Sequence, residues 1–498
     1  MSQEVSIKYT SSVSPSNPDK DGVLVVGQIA HLKKIAANVG RISCKFGNAF
    51  DDEHFKAGVN QLSPCPTDHV NLWLKNFSVA ALPSKASRHN APMFPHSLHS
   101  IVKAFSPKCS TEYITIVCER SAAFALGAAV ARAFPLYNKK CIVTKATKLD
   151  IIVEFLFVDD ETPLSEDEVK CMGFVGDSIR LSANIVDAPC SEMHTDAFLD
   201  EIRKVGSQVG ITPHIIQGEA LREGGFGGIY GVGKAATHQP ALAVLSHTPA
   251  GATKSIAWCG KGIVYNAGGL IIKGKTVMPG AKRECAGAAA ILGAFAAAVK
   301  SGFNQNLHAV FCLAENAVGP LATRPDDVHT FYSGATVEVS NTDLEGQLVL
   351  GDGVAYAKKD LKADFILDMA TLTGAMDMSS GLYHGAIVTN SEEWELACVK
   401  AGRASGDLVH PLPYCPELHF EEFDSPVADM KNTAKSSDAQ SSCAGLFIGA
   451  HIGFDFPGVW LHIDMAYPVN GYGVALLLAL FGKYIQNPLL KDIARAHR

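Results

Sequence analysis

The chain is 498 residues long, enough for two or three domains of ordinary size, and 47% of it is hydrophobic, which supports a large core. Its 43 basic and 50 acidic residues leave a net charge of −7 with no basic cluster interleaved with aromatics, which argues against a nucleic-acid partner. The first twenty residues hold no apolar stretch of signal-peptide length and the 13 cysteines form no CxxC pair, so the expectation is a cytoplasmic protein with reduced thiols.

From the N-terminus, strand-like runs at Val23 to Ile29, Tyr113 to Val117 and Ile151 to Val158, with the alanine-rich helical stretch Ser121 to Phe134, predict an α/β unit over residues 1–175. The acidic segment DDETPLSEDE, Asp159 to Glu168, reads as a surface connection or as an ordinary loop within one domain. A second, larger unit over residues 178–498 carries apolar runs at Ala241 to Ser246, Ile256 to Tyr265, His308 to Leu313, Phe365 to Met369 and Val459 to Met465. Helical stretches alternate with these runs. That alternation predicts an α/β fold with a mostly parallel central sheet flanked by helices, and reactive residues at the strand ends. The longest apolar run, Ala286 to Val299, is too short to span a bilayer and predicts a buried helix, so no membrane partner is expected.

HExxH and GxSxG are absent, and GKGIVYNAGG (Gly260 to Gly269) lacks the lysine placement of a phosphate-binding loop. The 18 histidines show no ligand spacing and read as core or surface positions. Carboxylates and lysines remain. In NTDLEGQLVLGDG, Asn341 to Gly353, an extended backbone would place Asp343, Glu345 and Gln347 on one face. Two carboxylates on one face call for a divalent cation, a neighbouring lysine, or solvent at a strand edge. Upstream, Lys261, Asn266, Lys273 and Glu284 fall in one segment whose Gly268-Gly269 pair permits close backbone approach. Glu284 stands before the apolar helix, where the helix dipole favours a carboxylate, a position that also suits an ordinary first-turn Glu.

Together these segments resemble the leucine aminopeptidase family of two-metal peptidases, M17, over roughly Ser178 to Tyr484. The family's Asn-Thr-Asp-x-Glu-Gly signature stands at Asn341 to Gly346, and its lysine and glycine pattern at Lys261, Gly268-Gly269 and Lys273. GGFGGIYGVGKA, AENAVGPLATRPDDV, DMATLTGA, SPVADMKN and WLHIDMA also match, and GDLVHPLPYCPELHFEEF is most similar to an animal branch of the family. The resemblance implies an N-terminal accessory domain, a C-terminal catalytic domain and a homohexamer. It implies a metalloaminopeptidase that removes N-terminal, chiefly apolar, residues from peptides. Two divalent ions, zinc or manganese, would be held by Lys261, Asn266, Glu284, Asp343 and Glu345, with Lys261 as a neutral amine of depressed pKa. Lys273 would stabilise the oxyanion, and Thr371 and Leu372 would line the substrate pocket.

Three positions depart from the family pattern. Asn266 and Glu284 stand where the family has Asp, and Gln347 stands where it has an Arg that holds a bicarbonate general base. Asn266 brings no charge and bridges two metals poorly. Glu284 keeps its charge on an arm one methylene longer. Gln347 cannot hold an anion by charge. Two functional readings follow: a metalloaminopeptidase of altered metal preference and reduced rate, or a non-catalytic paralogue acting as a peptide-binding or structural oligomer.

Overall fold

The computed structural model describes residues 4–74, 76–105, 109–140, 148–466 and 470–496. In the N-terminal part, β1 (Glu4–Thr10), β2 (Gly22–Gln28), β3 (Asp68–Trp73), β4 (Phe77–Leu82), β5 (Thr111–Cys118) and β6 (Lys148–Phe157) form one sheet in the order β1-β6-β5-β2-β4-β3. All neighbours are parallel except β3 and β4. β2 and β4 are buried along nearly their whole length, as strands covered on both faces are.

Eleven further strands follow: β7 (His214–Gln217), β8 (Ala241–His247), β9 (Ser255–Asn266), β10 (Asn306–Asn316), β11 (Asp327–Thr330), β12 (Thr336–Val339), β13 (Phe365–Ala370), β14 (Gly385–Thr389), β15 (Val409–Pro411), β16 (Met430–Lys431) and β17 (Val459–Asp464). Eight of them form a sheet ordered β15-β14-β17-β13-β9-β10-β8-β7, and β11, β12 and β16 form a small one. At its centre β17, β13, β9 and β10 run parallel, so their C-terminal ends share one edge. The expected strands are all present, with ends shifted by a few residues.

The apolar run becomes the helix Ala286–Lys300, buried on every side up to Ala298. Its alanines let it lie between the large sheet and the helix Glu166–Asp187. The acidic segment divides. Asp159 to Leu164 is irregular, and Glu166, Asp167 and Glu168 form the first turn of the latter helix, fixed by a reciprocal capping box between Ser165 and Glu168. This helix runs unbroken past residues 175–178, packing on both β1 and the Ala286–Lys300 helix.

One buried ion pair anchors the N-terminal sheet. Lys45 is fully buried, its Nζ 2.6 Å from Glu154 Oε2 and 3.7 Å from the centre of the Tyr113 ring. Glu154 also accepts from Ser14 N, Ser14 Oγ and Thr115 Oγ1. Burial lowers the lysine pKa, opposed by the adjacent carboxylate. Removing one partner strands the other charge. Glu154→Gln should therefore cost about 3–5 kcal/mol in chemical denaturation, and the double change Lys45→Met, Glu154→Leu markedly less.

Candidate active site

Lys261 lies on β9 with its side chain at the C-terminal edge of the sheet. Its ammonium touches Glu284 Oε2 at 2.8 Å and Glu345 Oε1 at 2.8 Å, and donates to the Thr371 carbonyl at 2.7 Å. Burial pushes its pKa down, but the two carboxylates outweigh burial and raise it. The amine is thus held charged by its neighbours, and it must give up a proton before it can ligate a metal. The depressed pKa that the family resemblance implies is not a property of the lysine among these neighbours alone.

Glu284 lies in a 3-10 turn, Ala281–Cys285, that feeds the buried helix. Its longer arm lets Oε2 accept from both Lys261 and Asn266, at 2.8 and 2.9 Å, while Oε1 lies 3.7 Å from Lys273. Burial raises its pKa, but the two lysines and Asn266 together hold it below the usual value.

The Asp-x-Glu-x-Gln segment is not extended. β12 ends at Val339, Asn341 Oδ1 accepts from Asp343 N at 2.8 Å to close a turn, and a helix starts at Glu345 and runs to Lys359. The turn wins because the following residues, Gly346 to Ala355, are buried as a helix against the sheet. Residues two apart on a helix do not share a face. Glu345 therefore faces Lys261, while Gln347 turns away and donates through Nε2 to the Asn432 carbonyl at 2.7 Å. Asp343, on the turn, pairs with Lys273 at 2.8 Å.

Glu345 is 1% exposed, and its Oε2 has no hydrogen-bond partner. Oε1 has only the ionic contact with Lys261. Burial and the neighbouring Glu284 and Asp343 raise its pKa, with Lys261 opposing.

Asn266 ends β9 and is paired in register with Asn316 at the end of β10. The amide nitrogen of Asn266 donates to Glu284 Oε2 at 2.9 Å and to Asp343 Oδ1 at 3.0 Å. Its oxygen accepts from Gly268 N at 2.8 Å and Asn316 Nδ2 at 2.9 Å. Gly268 and Gly269 both have positive φ, +91° and +64°, which brings the Gly268 amide back onto Asn266.

A cavity of about 290 Å³ opens over this cluster, lined by Asn266, Lys273, Glu284, Asp343, Thr371 and Leu372 among others. The other residues expected at the site from the sequence meet at one place, and Gln347 borders it, lining a neighbouring cavity with Asn432 that Asp343, Glu345 and Leu372 also line. Three contributors, Asn316, Thr342 and Asp464, are ones to which the sequence alone assigns no role. Thr342 Oγ1 bonds the Gly268 carbonyl and the Ile271 amide, and Asp464 accepts from the amides of Leu372 and Thr373. Asn316 and Asp464 were findable as polar residues ending apolar strand runs.

The fold also brings His194, Asp196 and His238 together, with ligand atoms within 4.8 Å of one another. The two imidazoles stack face to face, 3.5 Å between centroids at 4°. In-plane lone pairs of stacked rings run parallel instead of converging on one ion. Each Nδ1 also has a partner already, Ala197 N and Asp196 Oδ2. This cluster is a poor chelate.

Residues 180–475 match the family model for the cytosol aminopeptidase family, catalytic domain, and residues 21–142 match M17 aminopeptidase N-terminal domain 2. The chain belongs to the M17 peptidase family, a family of metal-dependent aminopeptidases. It is 55% identical to human probable aminopeptidase NPEPL1, over 98% of this chain and 95% of that protein. It is 44% identical to leucine aminopeptidase 1 of Caenorhabditis elegans, over 82% of this chain and 84% of that one. The solved structure of the C. elegans leucine aminopeptidase superposes with a TM-score of 0.91 at 38% identity, covering 97% of this chain and 100% of the other. A leucyl aminopeptidase of Trypanosoma brucei in complex with bestatin gives 0.84 at 32% identity, over 97% and 96%.

The packing against Lys261 is tight. A Cβ on Gly346 would lie 2.9 Å from Lys261 Cδ and Cε and from Leu372 Cδ1. Gly346→Ala should displace the lysine and lower kcat/KM for an aminoacyl amide about 100-fold. Steady-state kinetics beside a thermal melt would separate that displacement from unfolding.

Proposed function

We propose that this chain removes N-terminal residues, chiefly apolar ones, from peptides, with divalent zinc or manganese held by Lys261, Glu284, Asp343 and Glu345. The observation that carries this reading is Glu345: a carboxylate buried beside Glu284 and Asp343, with the Lys261 ammonium on Oε1 and no hydrogen-bond partner on Oε2. Such a group needs a cation, and one lysine shared with Glu284 meets only part of that need. A bound divalent ion supplies a Lewis acid that acidifies water and polarises the scissile carbonyl. The family resemblance implies two such ions per chain.

The residues of the chain divide the remaining work. Lys273, half-buried and held charged by Glu284 and Asp343 against the cost of burial, stands beside the cavity as the donor for a developing oxyanion. Thr371 and Leu372 line the cavity, with the Leu372 amide pinned by Asp464, so this wall is rigid. The cluster lies at the ends of four parallel strands, which hold its groups in place before a peptide arrives. A homohexamer in the cytoplasm completes the reading. Leu270, Ile271, Ile272 and Val277, exposed next to the cavity, offer apolar surface that such an assembly would cover. Among the described residues no helix is long and apolar enough to cross a membrane.

A second reading, a paralogue that binds peptides without cleaving them, draws on Gln347. Its amide is committed to the Asn432 carbonyl and carries no charge with which to hold an anionic base.

Hydrolysis of a chromogenic leucine amide by manganese-loaded protein decides between the two. Turnover above blank that a chelator abolishes is the expected result. The triple change Asn266→Asp, Glu284→Asp, Gln347→Arg should then run faster, by about 10²–10⁴-fold if it restores a general base. Turnover by the triple variant alone would sink the enzymatic reading for the natural chain.

A further inference from the structure

The orientation of the Asn266 amide is fixed by two backbone groups whose roles are unambiguous. Gly268 N is a donor, so the Asn266 atom 2.8 Å away must be an acceptor. The Thr342 carbonyl is an acceptor, so the Asn316 atom bonded to it at 2.9 Å must be its amide nitrogen, and that same nitrogen lies 2.9 Å from Asn266. Both constraints place the Asn266 oxygen away from the carboxylates. A flip would set the amide nitrogen against two donors in a site where Asn266 is 1% exposed and Asn316 5%. What Asn266 turns toward Glu284 and Asp343 is therefore N–H, a group that repels a cation.

This splits the cluster into two unequal halves. In one, Glu345 has the Lys261 ammonium as its one partner and shares it with Glu284. In the other, Asp343 is already engaged by Asn266 Nδ2 and by Lys273. The amide nitrogen of Asn266 occupies the position between them. We propose that this centre takes a single divalent ion per chain, among Lys261, Glu284 and Glu345, because Asn266 presents a hydrogen-bond donor where a second ion needs a shared ligand. The inference rests on the metal-dependent reading above and narrows it.

Charge supports the same count. With Lys261 ligating as the neutral amine, the three carboxylates Glu284, Asp343 and Glu345 are cancelled by the Lys273 ammonium and one dication. A second dication would leave two uncompensated positive charges in a largely buried site, beside an amide N–H. An aspartate at position 266 would turn a carboxylate oxygen to the same place and remove one of those charges.

The test is to strip the full-length chain of metal and titrate it with Mn(II), reading bound equivalents by calorimetry and the electron paramagnetic resonance of the bound ion. The natural chain should take up about one equivalent with the six-line spectrum of an isolated ion. Asn266→Asp should take up about two, with the broadened spectrum of an exchange-coupled pair. Two coupled ions in the natural chain would overturn the single-ion inference and leave the metal-dependent reading standing. Uptake no greater than that of Glu345→Gln would overturn both. Asn266→Asp remaining at one equivalent would overturn the assignment of the block to Asn266. The result for the natural chain stands even if the variant fails to fold.

Discussion

The contact on which the catalytic half depends is the buried ammonium of Lys261 between Glu284 and Glu345. A charge buried this deeply is tolerated only with its countercharges in place. Each countercharge comes from a different part of the chain: Glu284 from the turn before the Ala286–Lys300 helix, Glu345 from the start of the Glu345–Lys359 helix. The lysine thus ties the entry points of two helices to the central strand β9. Glu345, in the first turn of its helix, also gains from the positive end of the helix dipole. Gly346 is required by the same arrangement, since the lysine stem passes where a side chain would stand.

How much of this was legible in the sequence depends on the range over which each feature is set. Strands such as β9 and β10 and the helix Ala286–Lys300 follow from local apolar runs, and the run length distinguished helix from membrane span. The capping box of Ser165 and Glu168 is likewise a local signal, yet it lay inside a segment read as a connection. Asp343 to Gln347 misled because a short apolar run with alternating polar residues fits either backbone, and only burial of Gly346 to Ala355 selects the helix. The pairing of Asn266 with Asn316 was not legible. Some fifty residues separate them along the chain, and the register of neighbouring parallel strands leaves no mark in either segment.

The three departures from the family pattern are not independent in the folded chain. Asn266 points its amide nitrogen at Glu284, and the extra methylene of Glu284 lets one oxygen accept from both Asn266 and Lys261. Asparagine without the longer acid would leave an amide donor poorly paired, and the longer acid beside an aspartate would face a second carboxylate at close range. Each change is accommodated by the other.

Gln347 fits the same logic at the level of charge. Against the pattern that the resemblance implies, Asn266 in place of Asp removes one negative charge, and Gln347 in place of Arg removes one positive charge. Glu284 for Asp changes none. The local balance is therefore conserved while two charged groups are lost, and the Asn266 amide is satisfied by Glu284, Asp343, Gly268 and Asn316 while Gln347 donates to Asn432. Random loss of single charges in so buried a site would strand their partners. Hydrogen-bonded replacements keep such a scaffold stable, and the fold superposes closely on the C. elegans leucine aminopeptidase.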